Sequence, residues 1–259
     1  MVEILVLGSG SRGNCTLLRA GGRAILVDAG FSAREIAKRL AAVDQDPGKI
    51  EAILVTHEHA DHVGGLRVMA RRSGALVLGN LPTLRALART LVDVPRQAAF
   101  VAFEPFGAGP FAVTAFPVPH DAADPVGFVL EAEGVRVGYA TDLGHVTRTV
   151  EEHLAGCAAV VFESNHDREM LMAGPYPWVT KQRVASAHGH LSNEHAAAAL
   201  PAITSGGTEH LVLAHLSETN NHPQLARAAV HSALEAAGLS SRVGVQLALQ
   251  DRPGARIAL

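Results

Sequence analysis

Within Thr56-His57-Glu58-His59-Ala60-Asp61-His62 three imidazoles and a carboxylate stand close together, in the pattern H-x-H-x-D-H. It follows an apolar run, Ala52 to Val55, and precedes a helical pattern. In an extended stretch the side-chain period is two, so His57 and His59 point to the same side. Asp61 and His62 come as the chain turns into the helix and can face a second metal ion. Packing alone is a poor reason for such a group, because each imidazole and the carboxylate would need its own partner if buried.

Four such residues cannot saturate two metal ions, so more donors are expected where later strands end. His120 follows the run Phe111 to Val118, Asp142 follows Val135 to Ala140, and His215 follows Leu211 to Ala214. A histidine or aspartate there can also be a cap or a turn residue. The first motif's need for partners favours ligation. The expected arrangement is His57, His59 and His120 on one ion, Asp61, His62 and His215 on the other, and Asp142 between them. All donors are nitrogen or oxygen, which suits Zn²⁺ and equally Mn²⁺.

The elements that must position these residues are short apolar strands alternating with amphipathic helices. Strands are expected over Ile4 to Leu7, Thr16 to Arg19, Ala24 to Val27, Leu76 to Leu78, Phe100 to Phe103, Gly127 to Glu131, Ala159 to Phe162 and Val243 to Leu249, besides those already named. Gly21-Gly22 and Glu133-Gly134 read as two-residue hairpin turns. Helices are expected from a Ser32/Glu35 capping box, over Asp61 to Arg72, Pro82 to Leu91, Val146 to Leu154 and Ser192 to Leu200, and from Pro223 to Ala237 with Gly238 as the stop. No linker or repeat interrupts the pattern, so residues 1–259 read as one domain. Its order suggests two sheets covered by helices.

Composition narrows the class. The 259 residues include 22 Lys plus Arg against 25 Asp plus Glu, a net charge of −3, with 48% hydrophobic and 18% charged residues. Disorder and charge-driven nucleic-acid binding are both disfavoured. Cys15 and Cys157 have no C-x-x-C spacing, so neither a disulfide scaffold nor a cysteine zinc site is expected, and the compartment reads as reducing. The first residues lack a signal-peptide pattern and no apolar run reaches membrane-spanning length, so a cytoplasmic protein without membrane contact is expected. Aromatic residues other than phenylalanine are scarce, one Trp and two Tyr, beside 14 His. Gly8-Ser9-Gly10-Ser11-Arg12-Gly13 matches a dinucleotide fingerprint, with Asp28 at the right distance. The connection to the next strand is too short for a crossover helix, however. A tight loop is the better reading, with Ser11, Arg12 and Asn14 as candidate contacts to a substrate phosphate.

Six blocks carry a resemblance: Gly8 to Cys15, His120 to Phe128, Thr141 to Gly144, Phe162 to Asp167, Gly189 to Glu194 and His215 to Asn221. Together with the histidine motif, they resemble the metallo-β-lactamase superfamily and, within it, the YycJ/WalJ group of exonuclease-like proteins. The resemblance implies a four-layer αββα sandwich of the α/β class with a dinuclear metal site. Glu163 and His190 resemble the acidic residue and histidine that nuclease branches place beside the metals. Only 26 residues separate them here, so the second domain of the β-CASP nucleases has no room.

The same resemblance implies a DNA exonuclease in which two ions hold a bridging hydroxide that attacks the phosphodiester in line. Asp61 would orient this nucleophile, and His190, kept basic by Glu163, would protonate the departing oxygen. Arg67, Arg71, Arg72, Lys181 and Arg183 are cations near these motifs, although a solvated helix face explains them as well. Two rival readings remain: a thioester or small-ester hydrolase on the same frame, and a DNA-repair or regulatory accessory module with structural metals.

Overall fold

A computed structural model describes residues 1–259. The strands that the apolar runs predict, joined by two short ones that they do not, assemble into two seven-stranded sheets. One holds β1 (Val2–Gly8), β2 (Cys15–Ala20), β3 (Arg23–Val27), β4 (Ile50–Leu54), β5 (Leu76–Asn80) and β6 (Gln97–Phe100). The other holds β7 (Phe106–Ala108), β8 (Phe111–Pro117), β9 (Val126–Ala132), β10 (Val135–Ala140), β11 (Ala159–Glu163), β12 (His210–Ala214) and β13 (Gly244–Leu247). The last strand, β14 (Ile257–Ala258), returns to the first sheet and pairs antiparallel with β1. Their orders are β14-β1-β2-β3-β4-β5-β6 and β13-β12-β11-β10-β9-β8-β7.

Strand parity explains why four layers form. In β1, Ile4 and Val6 face the space between the sheets, whereas Leu5 and Leu7 face outward. In β11, Ala159 and Val161 point to the first side and Val160 and Phe162 to the second. A strand apolar on both faces needs cover on both. On the first sheet that cover comes from α1 (Ala33–Ala41), α2 (Ala60–Val63) and α3 (Leu66–Ser73), with α4 (Leu81–Ala86) after β5. On the second it comes from α5 (Arg148–Leu154), α8 (Asn193–Thr204) and α9 (Pro223–Ala236). The short α6 (Arg168–Ala173) and α7 (Trp178–Val184) fill the connection between β11 and α8. The αββα sandwich is thus the observed architecture, and no inserted domain separates Glu163 from His190.

Both expected hairpin turns form with left-handed backbone at both central residues: φ is 56° and 75° at Gly21-Gly22, and 51° and 77° at Glu133-Gly134. That twist matches the strands they join. Ser32 caps α1 and Ser192 caps α8 through their side chains. Three expectations are corrected. The helix over Asp61 to Arg72 is two helices, because Gly64-Gly65 interrupts it. The strand placed at Phe100 to Phe103 lies at Gln97–Phe100, since Phe103 turns the chain with φ 69°. Pro82 to Leu91 is helical only to Ala86.

One feature of the topology gathers the functional segments. β3 and β4 run parallel in one sheet, and β10, β11 and β12 run parallel in the other. β8 and β10 each pair antiparallel with β9, so β8 shares the β10 direction. The residues after these strands therefore emerge along one edge of the sandwich.

Burial makes a test of this packing direct. Leu40 on α1 is fully buried against the first sheet, while Lys38 on the same helix is 78% exposed. Leu40→Ala is expected to lower unfolding free energy by about 2–5 kcal/mol, and Lys38→Ala to stay within about 0.5 kcal/mol. Urea titrations followed by circular dichroism measure both.

Candidate metal centre

Most site residues sit at or just beyond the end of an apolar strand, while Asp61 and His62 lie in α2 and His190 between α7 and α8. Three of them, Asp28 after β3, Asp142 after β10 and His215 after β12, have left-handed backbone, with φ 61°, 59° and 56°. Such a conformation costs a non-glycine residue of order 1–3 kcal/mol and persists only where its surroundings enforce it. Here it turns the side chain from the strand direction into the common edge. Gly30 allows the other close approach: a Cβ there would fall on the carbonyl oxygen of Asp61. Asn14 ties the same point, its backbone N–H donating to that oxygen at 2.7 Å.

The seven residues expected as ligands come together. Ring or carboxylate atoms of His57, His59 and His120 lie within 4.8 Å of one another, as do those of Asp61, His62 and His215, and those of His57, His62 and Asp142. Asp142 spans the two histidine groups, with Oδ2 3.3 Å from His62 Nε2 and Oδ1 4.0 Å from His120 Nε2. Most of the cluster is buried, and Asp61 is the more open acid, its side chain 24% exposed.

Outer partners fix the ring nitrogens. His62 donates Nδ1–H to Asp28 at 2.7 Å, and Asp28 also accepts from the Thr56 backbone N–H and hydroxyl. His120 donates Nδ1–H to the Gly189 carbonyl at 3.0 Å. Glu163 Oε1 accepts from Nδ1 of both His215, at 3.0 Å, and His190, at 2.8 Å. In each ring this leaves Nε2 facing inward, the arrangement by which an outer acceptor sets the tautomer of a ligating histidine.

The electrostatics ask for cations. Burial opposes charge on His62, yet Asp142 and Asp28 override it and lift its pKa well above the usual value. Against the same burial, Asp142, Asp61 and Glu163 lift His215 to about 10. His57 behaves oppositely: burial, aided by His62, holds its pKa well below the usual value. Its Nε2 is buried without a hydrogen-bond partner, as is Asp142 Oδ2. An orphaned polar atom costs about 1–3 kcal/mol. Imidazole nitrogens and carboxylate oxygens converging on one space form a donor set that fits divalent metal ions.

Asp28 was not legible as a site residue from the dinucleotide pattern in which it stands. Its signal was a carboxylate directly after the buried run Ala24 to Val27. The glycine loop also differs in use from residue to residue. Asn14 is fully buried, its amide reaching His62 Nε2 at 3.0 Å and Asp61 Oδ2 at 3.5 Å. Arg12 is exposed and paired with Glu218 at 2.6 Å, and Ser11 is exposed. Of the neighbouring cations, Arg67 and Arg71 both bind Asp93, and Arg183 binds Asp121.

Replacing Asp28 by Asn would set an amide N–H against either the Thr56 N–H or His62 Nδ1–H. Asp28→Asn is expected to weaken Zn²⁺ or Mn²⁺ affinity by about 10–100-fold while the circular dichroism spectrum is kept. Competition with a chromogenic chelator measures it.

Known proteins resemble this chain in sequence and in fold. The family described as Beta-lactamase superfamily domain matches residues 23–216. Exodeoxyribonuclease YycJ of Bacillus anthracis is 37% identical over 248 residues, covering 95% of this chain and 93% of the relative. Exodeoxyribonuclease WalJ of Streptococcus pneumoniae is 34% identical over 250 residues, covering 95% and 92%. Among solved structures, the metallo-beta-lactamase fold protein YhfI of Bacillus subtilis superposes with a TM-score of 0.75 at 19% identity, over 100% of both chains.

Proposed function

The chain belongs to the beta-lactamase superfamily, and from that premise we propose that it is a dinuclear metal-dependent phosphodiesterase acting as a DNA exonuclease. At the coarser level it is a metal-dependent hydrolase. The proposed ligands are His57, His59 and His120 for one ion and Asp61, His62 and His215 for the other, with Asp142 serving both. Two divalent ions there, Zn²⁺ or Mn²⁺, would supply Lewis acidity toward phosphoryl oxygens and bring water into its nucleophilic range near neutral pH.

The chain's own groups then have separable tasks. Asp61, the more open carboxylate, orients the attacking water. His190 carries the reading toward phosphodiesters. Its Nδ1 is held by Glu163 at 2.8 Å and its ring is 19% exposed beside Asp142. Nε2 is thereby the atom available to a substrate, and an imidazolium there donates its proton to the departing sugar oxygen. Glu163 stays ionised beside that cation: burial raises its pKa, but His190 and His215 pull it down to about 2. Ser11 and Arg12, on the exposed side of their loop, are the proposed phosphate contacts there, with Arg12 exchanging Glu218 for phosphate. Asn14, being buried, holds Asp61 and His62 instead. The substrate's partner class is nucleic acid, as the names of the two exodeoxyribonuclease relatives support.

End-labelled linear DNA, RNA and a thioester, each with Mn²⁺ and with Zn²⁺, test the reading. Asp142→Ala is expected to abolish turnover of DNA while the protein stays folded. His190→Ala should lower it by about 10²–10⁴-fold. Consumption of the thioester alone would show the nuclease reading to be wrong.

A further inference from the structure

The connection between β11 and α8 has a surface unlike the rest of the molecule. Met172-Ala173-Gly174-Pro175-Tyr176-Pro177-Trp178-Val179 is eight residues without a charge, and it holds the chain's only Trp and one of its two Tyr. The other, Tyr139, is buried between the sheets. Trp178 is 63% exposed, Val179 75% and Met172 46%. A large aromatic side chain left in water costs the apolar burial that it would gain elsewhere, so an exposed cluster of this kind marks a contact surface.

Cations stand beside it in register. Residues three and four apart are neighbours on a helix. On α7, Lys181 therefore lies one turn from Trp178, and Arg183 one turn from Val179. α7 carries no acidic residue. The helix is also fastened to the metal centre. His190 donates its backbone N–H to the Val184 carbonyl at 2.9 Å, and His120 and His145 donate to the carbonyls of Gly189 and Ala187, each at 3.0 Å. Arg183 binds Asp121, the neighbour of His120, at 2.6 Å.

We propose that α7 is a nucleic-acid platform, on which an unpaired base beyond the nucleotide that carries the scissile phosphate stacks against Trp178, while Lys181 and Arg183 exchange the Met172 carbonyl, at 2.6 Å, and Asp121 for the backbone. This rests on the nuclease reading. The occupant that matches both halves of the surface is a single-stranded end, because bases present flat apolar faces and the backbone presents negative charge. The helix rises about 1.5 Å per residue, so Trp178 lies only about 7 Å along its axis from Arg183 at the site's rim. A few cations serve here despite the net charge of −3, because stacking supplies part of the affinity.

The sole tryptophan makes the test specific. The full chain, kept in EDTA so that no strand is cut, is titrated with a thymidine decanucleotide. Quenching of tryptophan emission that saturates, and weakens as salt rises, is expected. With metal restored, Trp178→Ala should raise KM for that oligonucleotide roughly tenfold or more. Trp178→Phe should recover most of the loss, and the penalty should be at least several-fold larger than for bis(p-nitrophenyl) phosphate, which is too small to reach α7. If oligonucleotides are degraded but emission does not change and Trp178→Ala has native KM, the platform is wrong and the nuclease reading stands. If no oligonucleotide is degraded or bound, both are wrong. If emission changes instead with protein concentration alone, and sedimentation shows a dimer that Trp178→Ala dissolves, the surface belongs to a second copy and the proposal is overturned.

Discussion

Four hydrogen bonds converge on the carboxylate of Glu163, which has no access to water. Oε1 accepts from Nδ1 of His190 and His215, and Oε2 accepts from the backbone N–H groups of Leu143, at 3.0 Å, and Leu191, at 3.1 Å. A carboxylate has about four acceptor sites, so this one is saturated. The bonds join the loop after β10, the end of β11, the end of β12 and the segment before α8. Separately these four pieces would have no fixed relation at the sandwich edge. Held by one buried charge, they present Asp142, His190 and His215 as a unit. Such a group is costly to leave half satisfied, which makes the arrangement cooperative.

A parallel arrangement holds the other half of the centre. Asp28 lies behind His62 and Thr56 much as Glu163 lies behind His215 and His190. One buried carboxylate per sheet thus supports one ligating histidine directly, His62 or His215, and the inter-sheet core of Ile25, Val27, Leu54, Phe128 and Val161 keeps the two halves at a constant separation. Packing precision in a close-packed interior is what turns two supported halves into one site.

The parts legible in the sequence are those whose signal is local. The donors of H-x-H-x-D-H fall within one turn of chain, and His120, Asp142 and His215 are conspicuous because apolar runs end just before them. The hairpins at Gly21-Gly22 and Glu133-Gly134 were equally readable, since their turn type needs such residues. Asp28 was not, because its partner His62 is 34 residues away and a long-range hydrogen bond leaves no periodicity. β7 and β14 are too short for alternation to show, having three and two residues. α6 and α7 were missed for a related reason. Proline at 175 and 177 breaks the pattern between them, and their exposed apolar residues give no buried stripe. Gly64-Gly65 splits a helix that periodicity alone would continue, because the amphipathic pattern carries through the interruption.

The fastening of α7 has a consequence for how such a protein can change over evolutionary time. Its ties to the metal centre run almost wholly through backbone carbonyls, those of Val184, Ala187 and Gly189, at the last few residues of the connection. Main-chain acceptors are indifferent to side-chain identity. Arg183, through Asp121, is the side-chain exception, and the stretch before it, from Arg168 to Gln182, can therefore vary with little effect on the groups that it overhangs. The buried cluster and the surface that flanks it can in this sense change independently within one continuous chain.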